Sequence, residues 1–367
     1  MKDFIEITEN LAKVVGEIEN QRKNVGNFLR DTNSLTELEL TDDILENKLI
    51  VQVPESNQEN LKAAGVDGGL LKKSFHGIDL MLLKAVGVIS SYNWDKLTNT
   101  EYYPSAIPSP EPRTIMDPFS DLEFEINSNI EQQIKEVITA TEVVDKFEPD
   151  ILFLHGSVIP HYTFVPEKGS LLGENYRRMV LAYTDLFEAV KLRKTVLAGV
   201  IENSRGTRFC EVLNSILLTH FSASMPPDMK IVLTRTKDSN LLSYVLQKGE
   251  RSLVFPYSSK TSQHPILREF EVKDKIFTFY LKTVEFARPM RVDFLGDKGV
   301  IDKANFISSI LLKMVGHSNY GIPSVLIEAG QRAKLEETEL DMFYQDIINK
   351  TGNISSLFEQ RENQRPF

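Results

Sequence analysis

Cysteine is nearly absent from this chain of 367 residues, since Cys210 is the only one. One cysteine excludes an intramolecular disulfide and a zinc site built from several thiolates. Such low cysteine use is typical of the reducing cytoplasm, so we expect a cytoplasmic location. Cys210 lies within Arg208-Phe-Cys-Glu-Val-Leu on a predicted helix, a pattern that favours a buried structural thiol over a nucleophile.

Long apolar runs are also missing. No segment reaches the length of apolar residues that a membrane helix needs, so we expect no membrane part. The first residues, Met1-Lys-Asp-Phe-Ile-Glu, carry acids inside their apolar pattern, which differs from a signal peptide. With 41% hydrophobic and 26% charged residues, the composition indicates folded globular structure rather than disorder.

The chain lacks a basic excess, because 42 Lys and Arg face 52 Asp and Glu for a net charge of −10. This balance argues against a free-standing protein that binds nucleic acid tightly. It does not exclude a nuclease, because metal sites need carboxylates and a partner can supply basic surface. Local basic clusters remain, and each by itself is explained by solvated surface charge: Lys72-Lys73, Arg177-Arg178, and Lys191 with Arg193-Lys194.

Several common catalytic motifs are absent. The chain has no phosphate-binding Gly-x-x-x-x-Gly-Lys-Ser/Thr loop, no Gly-x-Gly-x-x-Gly fingerprint after a strand, and no His-Glu-x-x-His zinc motif. His155-Gly-Ser157 resembles a nucleophile elbow but lacks the second glycine. These absences argue against nucleotide hydrolysis by a P-loop, dinucleotide binding and serine-hydrolase chemistry.

The order of predicted elements indicates a mixed α/β sheet with helices on its faces. Apolar spacing predicts helices over 4–29, 35–48, 126–144, 172–193, 303–315 and 323–350, and a helix that begins at Asp238. Strands are predicted at 49–53, around Asp67, along 78–89, and at 150–155, 195–201, 251–255, 275–283 and 291–295. Strands therefore come first and then alternate with helices.

The same pattern predicts a domain organisation. We expect an N-terminal helical arm over 1–58, a main domain over 59–350 and a polar tail over 351–367. Within the main domain, the five prolines of 92–122 predict a long irregular insertion. The apolar face of the first helix predicts packing either on the rest of the same chain or on a partner subunit, and the sequence leaves both open.

The most informative segment is Val66-Asp67-Gly-Gly69, which follows a short apolar stretch. One interpretation is a strand that ends in an Asp-Gly hairpin turn. The other is a carboxylate left open to a metal ion, because the glycines that end the strand put no side chain over it. Three further residues bear on the choice between these interpretations.

Those residues lie at or near predicted strand and helix ends. His155 ends a strand before a turn, Glu136 lies on the preceding helix, and Asp238 begins a helix after another strand. Converging carboxylates are what Mg²⁺ or Mn²⁺ needs to activate water for phosphodiester cleavage. The alternatives are a solvated acid at Glu136, a helix N-cap at Asp238 and a hydrogen-bonded core histidine at His155.

From about residue 60 to residue 335, the order of motifs resembles the NurA nuclease family. Val66-Asp67-Gly-Gly69 is similar to the Asp-Gly-Ser-like turn of the first family motif, and Asp150-Ile-Leu-Phe-Leu-His155-Gly-Ser157 to the second. The remaining similar segments are Thr195 to Ser204, Asp238-Ser-Asn-Leu-Leu with Lys248-Gly-Glu-Arg-Ser252, Pro289-Met-Arg-Val-Asp-Phe294, and Tyr320-Gly-Ile-Pro323-Ser-Val-Leu-Ile-Glu-Ala329. Each motif is weak alone, and their shared order is the signal.

The resemblance implies an RNase H-like mixed sheet flanked by helices, with helical extensions at both ends. It also implies a Mn²⁺- or Mg²⁺-dependent DNA nuclease that works as a homodimer with a HerA-type hexameric ATPase in DNA end processing. A role in DNA repair and one in anti-phage defence are both compatible with it. Asp67 matches the first metal-binding aspartate, and Glu136 is the best match to the helix glutamate, with Glu131 and Glu142 as rivals. Asp238 is a further candidate metal ligand.

The chain departs from the family pattern at three positions. His155 stands where the family has its second aspartate, Ile322 at the family tyrosine and Gly330 at the family histidine, with His317 and Tyr320 as nearby substitutes. The departures leave a second hypothesis open, a NurA-like structural subunit that has lost catalysis. If the chain is active, the catalytic residues are Asp67, Glu136 and His155, and four basic residues are candidates for DNA contacts: Lys72, Lys73, Arg177 and Arg178.

Overall fold

A computed structural model describes most of the chain. The described residues are 2–33, 39–55, 58–116, 119–167, 169–220, 226, 228–315 and 321–351. The chain divides into two compact units. Unit 1 comprises Met1–Ser56, Gly199–Thr261 and Asp274–Pro323, and unit 2 comprises Asn57–Ala198, Ser262–Lys273 and Ser324–Phe367.

Unit 2 contains a mixed sheet built on a long hairpin. Its strands are β2 (Asn60–Ser74), β3 (Asp79–Asn93), β4 (Lys96–Tyr103), β5 (Glu111–Ile115) and β6 (Ile151–His155), and β7 (Val196–Ile201) begins in it. The order β4-β3-β2-β6 puts β2 in the centre, antiparallel to β3 and parallel to β6, and β5 pairs with β3. β3 is buried along almost its whole length, as expected of a strand covered on both faces.

Four helices of unit 2 accompany this sheet: α2 (Asp121–Phe147), α3 (Gly173–Arg193), α8 (Ser324–Ala333) and α9 (Glu337–Thr351). A reciprocal capping box between Ser120 and Glu123 starts α2, and Glu148 ends it in a left-handed conformation. The predicted helices over 126–144 and 172–193 are confirmed with longer or similar bounds. The single helix predicted over 323–350 is wrong, because residues 334–336 separate α8 from α9.

The prolines of 92–122 do not make this segment irregular, so that part of the prediction is wrong. β4 and β5 both lie within it. Pro104, Pro108 and Pro110 fall in the connection between the two strands, and Pro112 lies in β5 opposite Leu82. Prolines are compatible with connections and with strands that leave one edge unpaired, so a proline count alone does not identify a loop.

Unit 1 contains an antiparallel set of strands with helices around a separate core. The strands are β1 (Ile50–Gln52), β8 (Glu250–Ser252), β9 (Phe255–Pro256), β10 (Ile276–Leu281) and β11 (Met290–Leu295), and β7 ends here. They follow the order β1-β8-β10-β11, and β9 pairs with β10. The helices are α1 (Lys2–Asn33), α4 (Arg208–His220), α5 (Met229–Arg235), α6 (Asp238–Val245) and α7 (Val300–Met314).

The first helix divides into two parts with different surroundings. Val25 and Leu29, near its C-terminal end, are buried in the core of unit 1 with residues of α4, α5 and α6. Phe4, Ile7 and Leu11 are more than half exposed in the N-terminal part. Packing on the same chain therefore accounts only for the C-terminal part of the apolar face.

Residues 39–48, predicted as part of a short helix, form turns and an isolated bridge between Thr41 and Ile44, so that prediction is wrong there. The start of the same predicted helix, 35–38, lies outside the described residues, as do 352–367 of the predicted tail. Across the part of the chain that the structure describes, none of the helices combines the length and apolar character needed to cross a bilayer.

Candidate active site

Asp67 lies in the middle of β2, the central strand of the unit 2 sheet. The strand continues through Gly68 and Gly69 to Ser74, and the chain reverses only at 75–78. The interpretation that the two glycines end the strand is therefore wrong. The Asp67 side chain is 14% exposed, and its Oδ1 accepts a hydrogen bond of 2.8 Å from the Gly68 amide.

The two glycines are needed for close approach rather than for turning. A Cβ on Gly68 would lie 2.6 Å from Cγ of Glu136 and would overlap its carboxylate. A Cβ on Gly69 would overlap the carbonyl oxygen of Ala333 on α8. Because only hydrogen occupies these positions, α2 and α8 can approach the strand beside Asp67.

Glu136 is the acid that α2 brings to Asp67. It is 8% exposed, and its oxygens accept hydrogen bonds from Gln132 at 2.8 Å and Gln133 at 3.3 Å. Burial, followed by the negative charge of Asp67, raises the pKa of Glu136 to about 8. Two carboxylates whose charges oppose each other favour a bound cation, because like charges otherwise force one of them to keep its proton.

The two rival glutamates of α2 have other surroundings. Glu131 accepts a hydrogen bond of 2.9 Å from Arg178. Glu142 acts on Tyr103, whose pKa is raised first by burial and then by that negative charge. Geometry therefore favours Glu136 as the helix acid of the site.

His155 and Gly330 complete the surroundings of Asp67. His155 ends β6, and its Nδ1 lies 3.1 Å from Oδ2 of Asp67, with 44% of the side chain exposed. Gly156 follows with φ of +122°, which turns the chain away. Gly330 of α8 lies against the same oxygen, since a Cβ on Gly330 would be 2.6 Å from Oδ2 of Asp67. Oδ2 of Asp67 is therefore contacted by the His155 imidazole from β6 and, on the side of α8, by Gly330, which has no side chain.

Asp238 belongs to unit 1 and has a full set of donors. It is completely buried, and its oxygens accept hydrogen bonds of 3.0 Å from the amides of Phe209 and Cys210 and from the Tyr280 hydroxyl. As the first residue of α6, it caps the first turn of α4 rather than its own helix. This explains its burial without a metal ion.

Cys210 is buried beside this acid, and burial first, then the charge of Asp238, raises the pKa of its thiol well above the ordinary value. A thiol in that state is a poor nucleophile, which agrees with its interpretation as structural. Ile322, at the family tyrosine position, is half-buried in unit 1, whereas His317 and Tyr320 lie outside the described residues.

The basic residues proposed for DNA contacts are mostly paired with acids. Lys72 contacts Glu125 and donates to Ser128 at 3.1 Å, and Lys73 lies 3.3 Å from Asp341. Arg178 contacts Glu131, as described above, and Arg177 is exposed. These pairs are at least partly exposed, so they are weak enough for a phosphate to compete with them.

The donor set around Asp67 and Glu136 suits a hard divalent cation, because it offers two carboxylates at one place. Nδ1 of His155 is directed at the Asp67 carboxylate. Accordingly, no group of three or more His, Cys, Asp or Glu side chains among the described residues is arranged to hold a metal ion.

The site also contains residues that sequence analysis missed. Gln132 and Gln133 precede Glu136 by four and three positions on α2, so their proximity could have been read from helical spacing. The approach of Gly330 from α8 and of Tyr183 from α3 to this region had no such local signal.

Comparison with known proteins adds two findings. The family model described as NurA domain matches residues 61–335, well over half of the chain. A comparison with the curated proteins gave no match.

Among solved structures, the chain is similar to the NurA nuclease from Sulfolobus solfataricus, with 17% identity, a TM-score of 0.54, and 93% of this chain and 96% of that chain covered. A second NurA crystal structure has 12% identity and a TM-score of 0.54, with 98% and 100% covered. A third, of NurA bound to dAMP and manganese, has 13% identity and a TM-score of 0.53, with 94% and 97% covered. At these identities the likeness establishes the fold, and the predicted mixed α/β sheet flanked by helices is confirmed.

Proposed function

The chain belongs to the NurA family, and from that premise we propose that it is a metal-dependent DNA nuclease. One observation carries the proposal. Glu136 of α2 is buried near Asp67 of the central strand, and burial first, then the negative charge of Asp67, raises the pKa of Glu136 to about 8. A buried pair of acids of this kind costs stability in a protein that does not use it.

Asp67 and Glu136 would hold Mn²⁺ or Mg²⁺, with His155 beside them. When bound, the metal ion supplies Lewis-acid activation of water and charge stabilisation at the phosphate. The NurA structure solved with dAMP and manganese supports this choice of ligand class. Because Gly68 and Gly330 have no side chains, α2 can pack against the strand beside Asp67, and α8 can pack against Asp67 itself. Asp238 remains a predicted metal ligand only, since its hydrogen bonds give it a structural role.

DNA is the proposed substrate, with phosphate contacts from Lys72, Lys73, Arg177 and Arg178. Because three of these side chains contact acids and the net charge is −10, autonomous affinity for DNA should be low. A HerA-type hexameric ATPase that moves duplex DNA toward the nuclease would remove the need for such affinity. We propose this partnership, in DNA end processing, for repair or anti-phage defence in the cytoplasm.

A homodimer is the proposed assembly, and α1 supports it. Phe4, Ile7, Leu11, Val14 and Ile18 alternate at spacings of three and four, as in the a and d positions of a heptad, and are 40% to 70% exposed. Replacing Ile7 and Leu11 by Asp should yield monomers in analytical ultracentrifugation, and an unchanged dimer would rule out α1 as the contact.

The alternative is a NurA-like structural subunit without catalysis. Two observations favour it: His155 and Gly330 stand where the family has an aspartate and a histidine, and the described residues lack three converging metal ligands. In this case the fold and the motor contact would persist while the chemistry is lost.

The deciding experiment is cleavage of end-labelled linear duplex DNA with Mn²⁺ or Mg²⁺, with and without the cognate HerA-type ATPase and ATP. We expect cleavage by the wild type and none by Asp67→Ala with an unchanged circular dichroism spectrum. Equal cleavage by the two proteins would contradict the proposed site. No cleavage by either, with a stable complex with the ATPase, would establish the structural subunit.

A further inference from the structure

Both oxygens of Glu136 receive a side-chain amide. Nε2 of Gln132 lies 2.8 Å from Oε1 and also donates to the carbonyl oxygen of Gly68 at 3.3 Å. Nε2 of Gln133 lies 3.3 Å from Oε2. The two glutamines precede Glu136 by one helical turn, so α2 itself places the donors on the side of the carboxylate. Gln132 also connects the glutamate to the strand that carries Asp67.

A tyrosine from another helix fixes the direction of one of these amides. The Tyr183 hydroxyl on α3 donates to Oε1 of Gln133 at 2.6 Å. Because the oxygen end of the amide accepts this bond, its NH₂ end is directed at Glu136. Tyr183 is 2% exposed, and its ring packs with Phe187 and Phe270 at centroid distances of 6.2 Å and 6.3 Å. The hydroxyl is therefore held by a ring that cannot easily move.

We propose that Tyr183, Gln133 and Gln132 form a positioning network that orients the Glu136 carboxylate for a divalent cation. The inference rests on the proposed function and extends it to residues that do not touch metal or substrate. Donors to each oxygen favour the ionised carboxylate in a buried place and prevent its rotation. Removing a partner that orients a metal ligand typically weakens metal binding about 10- to 100-fold.

The neighbouring tyrosine of α3 provides a matched control. Tyr176 precedes Tyr183 by seven residues, so it lies on the same face of α3, and it is 8% exposed. Within the described part of the chain its hydroxyl has no hydrogen-bond partner. Removing either hydroxyl keeps a phenyl ring in the same place, but only the Tyr183 change affects Gln133.

The test compares Tyr183→Phe and Tyr176→Phe in the full chain, with MnCl₂ as the probe in isothermal titration calorimetry. We expect Tyr183→Phe to weaken Mn²⁺ binding about 10-fold and Tyr176→Phe to leave it unchanged. In DNA cleavage at increasing Mn²⁺, Tyr183→Phe should need about 10-fold more metal for half-maximal rate and reach nearly the wild-type rate at saturation.

Equal Mn²⁺ affinity of Tyr183→Phe and the wild type would overturn the network and leave the proposed function intact. A lower melting temperature with unchanged affinity would have the same meaning, since it is what a purely structural hydroxyl predicts. Should Tyr183→Phe not fold, Gln133→Leu at the half-buried α2 position carries the same comparison. A wild type with no saturable Mn²⁺ binding would instead contradict the metal site itself, and the network with it.

Discussion

The two units each bury an acid, and the partners of these acids differ. In unit 1, Asp238 accepts from two backbone amides and a tyrosine hydroxyl, each at 3.0 Å. In unit 2, Glu136 accepts from two glutamine amides, but burial first and the negative charge of Asp67 second raise the pKa of Glu136 to about 8. An acid with a full set of donors stabilises a fold, whereas an acid opposed by another acid indicates a site for a cation.

Unit 1 contains a second buried acid that, like Asp238, accepts hydrogen bonds from nearby donors. Asp293 is fully buried, and its Oδ1 accepts from Thr278 and from Arg291, each at 2.7 Å. Burial lowers the pKa of the Arg291 guanidinium, but Asp293, Tyr257 and Tyr280 together raise it overall. Sequence patterns do not separate Asp293 from the proposed metal ligand Asp67, since both lie within strands.

The largest expected effect is on catalysis. Glu136→Gln keeps the size of the side chain and removes its charge, so cleavage should fall on the order of 10³-fold, as expected when charge stabilisation at the phosphate is lost. The melting temperature without metal should not fall. Steady-state cleavage assays and differential scanning calorimetry of the same preparation measure the rate and the melting temperature. A Glu136→Gln protein that is active but unstable would mean that Glu136, like Asp238, has a structural role.

In unit 1 the expected effect is on stability. Asp238→Ala leaves buried donors of α4 and Tyr280 without partners, so the free energy of unfolding should fall by about 3 kcal/mol. Urea denaturation measures the change. Asp238→Asn, which retains one acceptor oxygen, should lose less. A fully stable Asp238→Ala protein would show that the hydrogen bonds of Asp238 contribute little, and its role as a metal ligand would then be the better explanation.

Measuring the free energy of unfolding as a function of pH distinguishes the Glu136 site from the Asp238 cluster without an activity assay. The folded-state pKa of Glu136, about 8, is above its ordinary value of 4.5, so the folded state retains a proton that the unfolded state releases between these pH values. The contribution of Glu136 to stability therefore falls as pH rises through this window. Compared with Glu136→Gln in EDTA, the wild type should lose roughly 3–4 kcal/mol between pH 5 and pH 8, at about 1.4 kcal/mol per unit of pKa shift. Parallel pH curves for the two proteins would contradict the pKa.

The smallest expected effect tests the close contact between Gly330 and Asp67. Gly330→Ala would put a Cβ 2.6 Å from Oδ2 of Asp67, and the carboxylate must move to accommodate it. We expect cleavage to fall about 10-fold, with a change in stability below ~1 kcal/mol because a side-chain end moves rather than backbone. Gly173→Ala is the matched control, since a Cβ there meets nothing within 4 Å. Equal rates for the two variants would mean that the position of Asp67 is not critical.

Local patterns predicted much of the secondary structure. The spacing of apolar residues predicted α2, α3, β6 and β7 closely, because each is a regular element with a buried stripe or run. Predictions that depended on glycine and proline did worse. Local sequence treats glycine and proline as turn signals, so it predicts a strand end at Gly68-Gly69 and an irregular segment over 92–122. In the structure both segments contain strands, because packing against neighbouring elements determines what these residues do.

By itself, the sequence determined the family, the run of helices and strands, and the presence of acids near strand centres and ends. Motif order carries this information, since it depends only on the chain. Tertiary structure alone decided that Glu136 rather than Glu131 or Glu142 is buried near the charge of Asp67, that Asp238 has hydrogen-bond donors for both oxygens, and that Gly330 and His155 meet at one oxygen. These residues are 28 to 263 positions apart or lie on different faces of one helix, and they come together only when the strands and helices pack.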